Sequence, residues 1–182
     1  QNTYANTFSY NGQIYRSDIV RSCIRPFANA VSKLYAKHIR ITGSSILTYP
    51  EPYIKALLEQ PNPYMHGQML LYRLAIQTKL NSNAFALIYR DENGYPCQIY
   101  PIPAQSADAK YDEYGYLWIE FLVKNGNKFI FPYRDLIHLR QDYNENDIFG
   151  DSPAQTLSDL MEIVATTDCG IKGAIKNGGI LR

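Results

Sequence analysis

Three short polar breaks, each carrying a glycine, constrain this chain more than anything else in it: Asp91-Glu92-Asn93-Gly94, Asp112-Glu113-Tyr114-Gly115 and Lys124-Asn125-Gly126-Asn127. Asn-Gly and its relatives favour the positive-φ backbone that closes a tight hairpin, so the segments they join must run antiparallel. Before the first break, Phe85, Leu87 and Tyr89 alternate with Ala84, Ala86 and Ile88. A strand apolar on both faces belongs inside a sheet. Its return, Tyr95 to Tyr100, ends at Pro101-Ile102-Pro103, whose missing amide donors forbid further central pairing. After the second break Leu117, Ile119, Phe121 and Val123 face one way, and Tyr116, Trp118, Glu120 and Leu122 the other. Lys128 to Phe131 returns after the third. Four consecutive strands on short turns predict an antiparallel meander with helices before and after it, the α+β class.

Helical spacing appears on both sides. Ile19, Val20, Cys23, Ile24, Phe27, Ala30, Val31 and Leu34 recur at three and four residues, and Pro26 predicts a helix mainly beyond it. His38 to Ile41 alternate as a short strand that ends in the loop Thr42-Gly43-Ser44-Ser45. A short helix over 52–60 is stopped by Pro61-Asn62-Pro63. The next, over 66–81, carries a stripe of Met69, Tyr72, Ile76 and Leu80 with Leu70 and Leu74 beside it. The last helix has the clearest start. Ser152 is placed to cap it, Pro153 fits its first position and Gln155 completes a reciprocal capping pair. Its stripe of Leu157, Leu160, Met161, Val164, Ile171 and Ile175 runs to Asn177-Gly178-Gly179. Asp168 falls at the centre of that stripe. An unpaired buried carboxylate is costly, so the pattern implies that this end of the helix leaves its own domain for a wet or intersubunit setting. Gly170 and Gly173 beside it suit a kink or a close helix-helix approach.

The organisation that follows is an arm, helix and short strand over 1–49, an α+β core over 50–150, and a long helix over 151–182. Residues 1–16 show no clear period. With no initiator Met and no basic start before an apolar run, the sequence is expected to be a fragment or processed product without a signal peptide. No stretch has the length of continuous apolar residues that a spanning helix needs, so no membrane partner is expected.

The residues that carry chemistry elsewhere do not converge here. With 18 Lys+Arg against 17 Asp+Glu, the chain cannot coat nucleic acid through bulk charge. Cys23, Cys97 and Cys169 are far apart and form no CxxC pair, which argues against a disulfide framework or a zinc knuckle and suits a reducing compartment. Asp142, Asn144 and Asn146 have the first spacings of a calcium loop. However, Asp147 stands where glycine is needed and Pro153 where the closing glutamate is needed. His38, His66 and His138 lack partners at ligand spacing. The acidic pairs Asp91/Glu92 and Asp108/Asp112 sit at turns, where such residues are ordinarily solvated. No nucleophile elbow, phosphate loop or dinucleotide fingerprint occurs. No catalytic residue, cofactor or metal is therefore assigned. A rival reading, a small α+β binding module or hydrolase, would use the sixteen tyrosines and the acidic loop 142–151.

Taken in order, the segments resemble the portal protein family of tailed bacteriophages. "LLEQPNPYM" (57–65) is similar to the family's leucine pair and Pro-Asn-Pro before a helix. "NSNAFALIYRDENGYPCQIYPIP" (81–103) resembles its Gly-Asn-Ala-Tyr strand, Asp-Gly hairpin and proline-punctuated return, with Ser82 and Phe85 in place of the usual Gly and Tyr. "FPYRDLIHLR" (131–140), "FGDSPAQTL" (149–157) and "IKNGGILR" (175–182) resemble its Leu/Ile-His segment, its Gly-x-Ser-Pro helix start and its Asn-Gly close. The likeness covers about residues 50–182 and implies a truncated portal subunit.

The resemblance implies a homo-oligomeric ring, commonly of twelve subunits, at one capsid vertex. Double-stranded DNA would pass through it, the terminase large subunit would dock on it during packaging, and capsid and head-tail adaptor proteins would bind it. It implies no catalytic centre, and a location in the virion reached by assembly in the host cytoplasm. Residues 50–150 would be the wing, helix 153–176 the stem and residues 178–182 the start of the clip. Lys172, Lys176 and Arg182 would be the candidates for facing DNA. Asp168 would be the intersubunit candidate, opposite a neighbour's Lys172 or Lys176, because closed rotational symmetry requires heterologous contacts.

Overall fold

The computed structural model describes residues 7–9, 15, 17–142 and 147–178. In chain order these form β1 (Thr7–Ser9), α1 (Asp18–Ser32), β2 (Ile39–Thr42), β3 (Ser45–Thr48), α2 (Pro52–Glu59), α3 (Gly67–Asn81), β4 (Asn83–Arg90), β5 (Pro96–Pro101), β6 (Ala104–Tyr111), β7 (Leu117–Val123), β8 (Lys128–Pro132), β9 (Leu136–Arg140) and α4 (Ala154–Gly178). A single 3₁₀ turn, Tyr133–Asp135, joins β8 to β9. The class is α+β, as the pattern predicts.

The strands do not form one continuous meander. They divide into a four-stranded sheet ordered β1-β6-β7-β8, a three-stranded sheet ordered β5-β4-β9 and the separate hairpin β2-β3. The division falls at Pro101-Ile102-Pro103, where the chain leaves the edge of one sheet and begins the other. All three expected turns close with positive φ at Gly94, Gly115 and Gly126. Asp91 and Asp112 brace their turns by accepting backbone N–H bonds from residues two and four further on. The expected loop 42–45 is itself a hairpin turn, with β3 pairing back on β2 and Ile46 opposite Ile41.

β4 shows why its sequence is apolar on both faces. It lies between β5 and β9, with Phe85 turned toward the other sheet and Ala84 and Ala86 toward the helices. Between the sheets, Phe85 packs on Ala107, Ile119, Phe121, Leu136, Ile148 and Phe149, and the Phe85 and Phe121 rings meet edge to face at 5.0 Å. On the helical side Leu57 of α2 and Leu70 and Leu74 of α3 cover Ala84, Ala86 and Ile99. A third cluster joins Val20 and Ile24 of α1 to Leu80 and Ile76 of α3, and to Leu157 and Met161 of α4. The buried face of α3 thus centres on Leu70, Leu74, Ala75 and Leu80, and Met69 is exposed.

α1 runs unbroken through Pro26. The ring costs one backbone bond at an exposed position, where water can satisfy the freed carbonyl. Meanwhile Val20, Ile24 and Ala28 bury one continuous stripe across it. That packing holds the helix together on both sides of the proline.

Candidate functional site

The sheets end where α4 begins, and the junction is tied by one buried side chain. Asn83, the first residue of β4, accepts a bond from Gly150 N–H through Oδ1 at 2.8 Å and donates from Nδ2 to the Gly150 carbonyl at 2.8 Å. Its Nδ2 also donates to the Asn81 carbonyl at 3.0 Å. The amide therefore holds the backbone of the loop preceding α4 much as a neighbouring strand would. Gln141 N–H adds a bond to the Ser82 carbonyl at 2.8 Å, and Lys79 donates to Gln141 Oε1 at 2.8 Å. A side chain at Gly150 would not fit, because a Cβ there would fall 2.2 Å from the Gln141 carbonyl oxygen and 2.5 Å from that of Ser82.

His138 of β9 completes the knot. Its Nε2 lies 3.0 Å from Asn83 Oδ1, which can only accept, so Nε2 carries the proton and Nδ1 accepts from the Tyr133 hydroxyl at 3.1 Å. The ring stacks on Phe85 with centroids 4.2 Å apart. Burial, seconded by the Arg140 charge, lowers its pKa from 6.5 to about 3, so it is neutral here. This is a structural histidine whose two nitrogens are both engaged.

Ser82 and Asp142, on the two chains of the junction, adopt left-handed backbone with φ of 53° and 50°, and Ser82 Oγ donates to Asp142 Oδ2 at 3.3 Å. Left-handed backbone at residue 82 is the conformation that glycine adopts most readily. Ser82 tolerates the geometry at some strain.

From this fixed root α4 extends 25 residues, a rod of about 37 Å. Its first turns are anchored, with Leu157 and Met161 in the cluster with Val20, Ile24 and Leu80. Leu160 in these same turns, and Ile163, Ile171 and Ile175 further on, are exposed. Asp168, Lys172 and Lys176 are exposed on the same distal rod. Arg182 lies outside the described residues, as do Asn144 and Asn146 of the acidic loop. The Cβ positions of Gly170 and Gly173 meet nothing within 4 Å, so close approach to this rod from outside is sterically open.

Other residues singled out by sequence do not converge. His38 lies beside Glu51, with Nδ1 3.1 Å from Oε2, and His66 begins α3 without a side-chain cap. The three cysteines are exposed and unpaired. Among the described residues no group of three or more His, Cys, Asp or Glu could hold a metal ion, and no helix is long and apolar enough to cross a membrane. Glu120, on the outer face of β7, is held well below the usual carboxylate range by hydrogen bonds from Lys110 and Lys128. Sequence reasoning missed the Asn83–Gly150–His138 knot. The available signal was a polar residue at the head of an apolar strand and a lone histidine in "LIHLR".

Against known proteins, the sequence model of a family described as phage portal protein matches residues 18–182. This chain belongs to the phage portal protein family. Among solved structures it is similar to a chain from the neck of an empty gene transfer agent particle computed with C6 symmetry, at TM-score 0.68 and 15% identity, covering 88% of this chain and 44% of that one. It is similar to a chain from the neck of the native particle computed with C12 symmetry, at TM-score 0.64 and 13% identity, covering 96% of this chain and 48% of that one. It also matches an HK97-family phage portal protein from Corynebacterium diphtheriae at TM-score 0.51 and 12% identity, covering 89% and 50%. The fold is therefore that of portal proteins, and the chain spans about half the length of these relatives. No curated protein sequence matches it.

Proposed function

We infer that this chain supplies the wing and the stem helix of a subunit in a homo-oligomeric portal ring. The ring would pass double-stranded DNA into and out of a capsid and act structurally rather than catalytically. The observation that carries this reading is α4, a rod rooted in a buried knot, whose apolar residues Leu160, Ile163, Ile171 and Ile175 are more than half exposed. An apolar stripe of that length needs a partner, and in a closed ring the neighbouring copy is always present. A ring of twelve is compatible with both the C6 and the C12 symmetry used for the related necks.

In this assignment residues 50–150 form the wing, residues 151–182 the stem and the start of the clip, and residues 1–49 an arm that joins helix α1 to the body. Asp168 pairs with Lys172 or Lys176 of the next copy. Lys172, Lys176 and Arg182 are the cations nearest DNA, and the terminase large subunit and the head-tail adaptors bind the two ends of the ring. The site of action is the capsid vertex, reached by assembly in the host cytoplasm. Electron microscopy and mass photometry of the full-length protein test the reading. Rings with a central channel are expected, and a protein that stays monomeric at high concentration would overturn it. Charge reversal at Lys172 and Lys176 is expected to lower packaged DNA while leaving ring yield intact.

A further inference from the structure

Between α1 and α2 the chain leaves the body as a strap. Of residues 33–48 only His38 is even half-buried, and none joins a core cluster. The hairpin β2-β3 within it pairs with no other strand among the described residues. A lone two-stranded hairpin is marginally stable in water, and its own ladder does not fix its direction relative to the body. The chain returns from the hairpin to α2 through Tyr49 and Pro50. Tyr49 has left-handed backbone at φ 54°, a strained conformation for tyrosine that persists only where surrounding contacts hold it. Pro50 has a fixed φ, so the change of direction is concentrated in two residues, as in a hinge.

One carboxylate supplies the holding contacts. Glu51 is the N-cap residue of α2, yet its side chain does not cap the helix. It turns to the strap instead, where Oε1 takes the Arg40 guanidinium of β2 and Oε2 lies 3.1 Å from His38 Nδ1. Oε2 and Nδ1 are both shielded from solvent, and neither makes an aligned hydrogen bond within the described residues. A buried polar atom left unpaired is costly, so these two hold each other as an ion pair or through a proton on Nδ1, since the carboxylate can only accept. Behind them Tyr49 N–H donates to the His38 carbonyl at 2.7 Å, and Lys55 Nζ of α2 lies 5.3 Å from the centre of the Tyr49 ring. An exposed ion pair contributes little by itself. Here one carboxylate, its side chain only 26% exposed, engages two basic groups of the strap at once.

The strap also walls a groove. A cavity of about 450 Å³ is lined by Leu34, Tyr35 and Tyr49, from the two linkers that flank the hairpin, together with Leu57, Leu70 and Ile99 of the core. Those three core residues are 7%, 8% and 6% exposed with the strap in place. The first linker is tied to α3 by the Gln68 amide, which donates to the Tyr35 hydroxyl at 3.3 Å. We propose that residues 33–51 are a latched lid. Glu51, by holding Arg40 and His38, keeps the strap closed against this groove, and loss of that grip lets the strap swing about Tyr49-Pro50 and widens the groove. The device is complete within one chain and does not depend on the ring reading.

The test uses the full-length protein with spin labels at the hairpin tip, through Ser44→Cys, and at the native Cys97, which is exposed on β5. Other cysteines are replaced by serine, and labelled chains are diluted into unlabelled ones. Double electron–electron resonance is expected to give one narrow distance distribution. Glu51→Gln should broaden it about twofold or more, whereas Glu59→Gln, the other acid of this helix, should leave it unchanged. Because Glu51 does not cap α2, the melting temperature of Glu51→Gln should move by no more than about 2 °C. Should it fall further, Arg40→Gln, at an exposed position of β2, replaces it as the deciding variant. In a second sample a cysteine in place of Leu71, which lines the same groove, should react with a maleimide about threefold faster or more once the latch is removed. A distribution already broad without the latch substitution, one that the deciding variant leaves narrow, or a Leu71→Cys thiol whose rate that variant does not change, overturns the lid.

Discussion

α3 and α4 both carry apolar residues at helical spacing, yet among the described residues one is packed along its length and the other only near its start. α3 is clasped on two sides, by β4 and β5 through Leu70 and Leu74 and by α1 through Leu80 and Ile76. α4 is ten residues longer, 25 against 15, and among its described side chains only Leu157 and Met161 near its start enter a core cluster. Periodicity states that a helix has a face to cover, and it is silent on what covers it. In this chain the body is stabilised by its own sheets and helices, and the rod, among the described residues, is held at its root.

The sharpest way to break the comparison is to damage the body. Phe121 is fully buried against Phe85 and between the sheets, so Phe121→Ala should cost about 3–5 kcal/mol, read as a fall in the denaturation midpoint or as loss of soluble protein. Asn83→Ala should come next at about 3 kcal/mol, because it strands the Gly150 N–H and carbonyl and the His138 Nε2 proton in a buried setting. If Asn83→Ala melts like the wild type, the knot does not hold the root of α4.

Acid should strike the same knot. The unfolded chain protonates His138 near 6.5 and the folded chain only near 3, so the unfolded state binds the extra proton between those values. Stability is full above pH 6.5 and should fall by about 1.4 kcal/mol for each unit below it, or roughly 2.7 kcal/mol by pH 4.5. Melting curves across this range for wild type and His138→Gln test it, with the steep acid limb expected to flatten in the variant. An unchanged limb would place the acid-sensitive group elsewhere. A smaller effect of opposite sign is expected from Ser82→Gly. It relieves the left-handed backbone at φ 53° and should raise stability by up to about 1 kcal/mol, offset in part by the lost Ser82–Asp142 bond.

What the sequence discloses divides along the same line. The local elements were legible: three turns announced by glycine, the two-sided strand 83–90, the helices over 52–59 and 67–81, and the long terminal helix. Long-range pairing was not. β9 lies beside β4 at a separation of some fifty residues, and no local periodicity encodes that. β6, "AQSADAKY", has little β propensity of its own and is a strand because β1 and β7 flank it. Pro26 misled for the opposite reason, since tertiary packing of Val20, Ile24 and Ala28 outweighs one lost hydrogen bond. Of the candidate site, the rod could be read from spacing, whereas the Asn83–Gly150 clamp needs three segments brought together in space.

The smallest expected effect on the chain alone is the one that separates the two helices most cleanly. Ile171 and Ile175 are 53% and 69% exposed on α4, so replacing both by serine removes little buried area within the chain. The stability of the monomer should move by no more than about 0.5 kcal/mol. The same pair of substitutions at Leu70 and Leu74 of α3, buried against β4, should unfold the body, since each lost leucine contact is worth about 2–5 kcal/mol. If the distal face of α4 serves a neighbouring copy, the serine variant should melt as the wild type does and fail to assemble, so a normal melt with a lost ring is the expected signature. A serine variant that assembles normally would mean that this stripe is spare surface. One whose monomer melts early would mean that α4 belongs to the body after all, and the contrast between the helices would disappear.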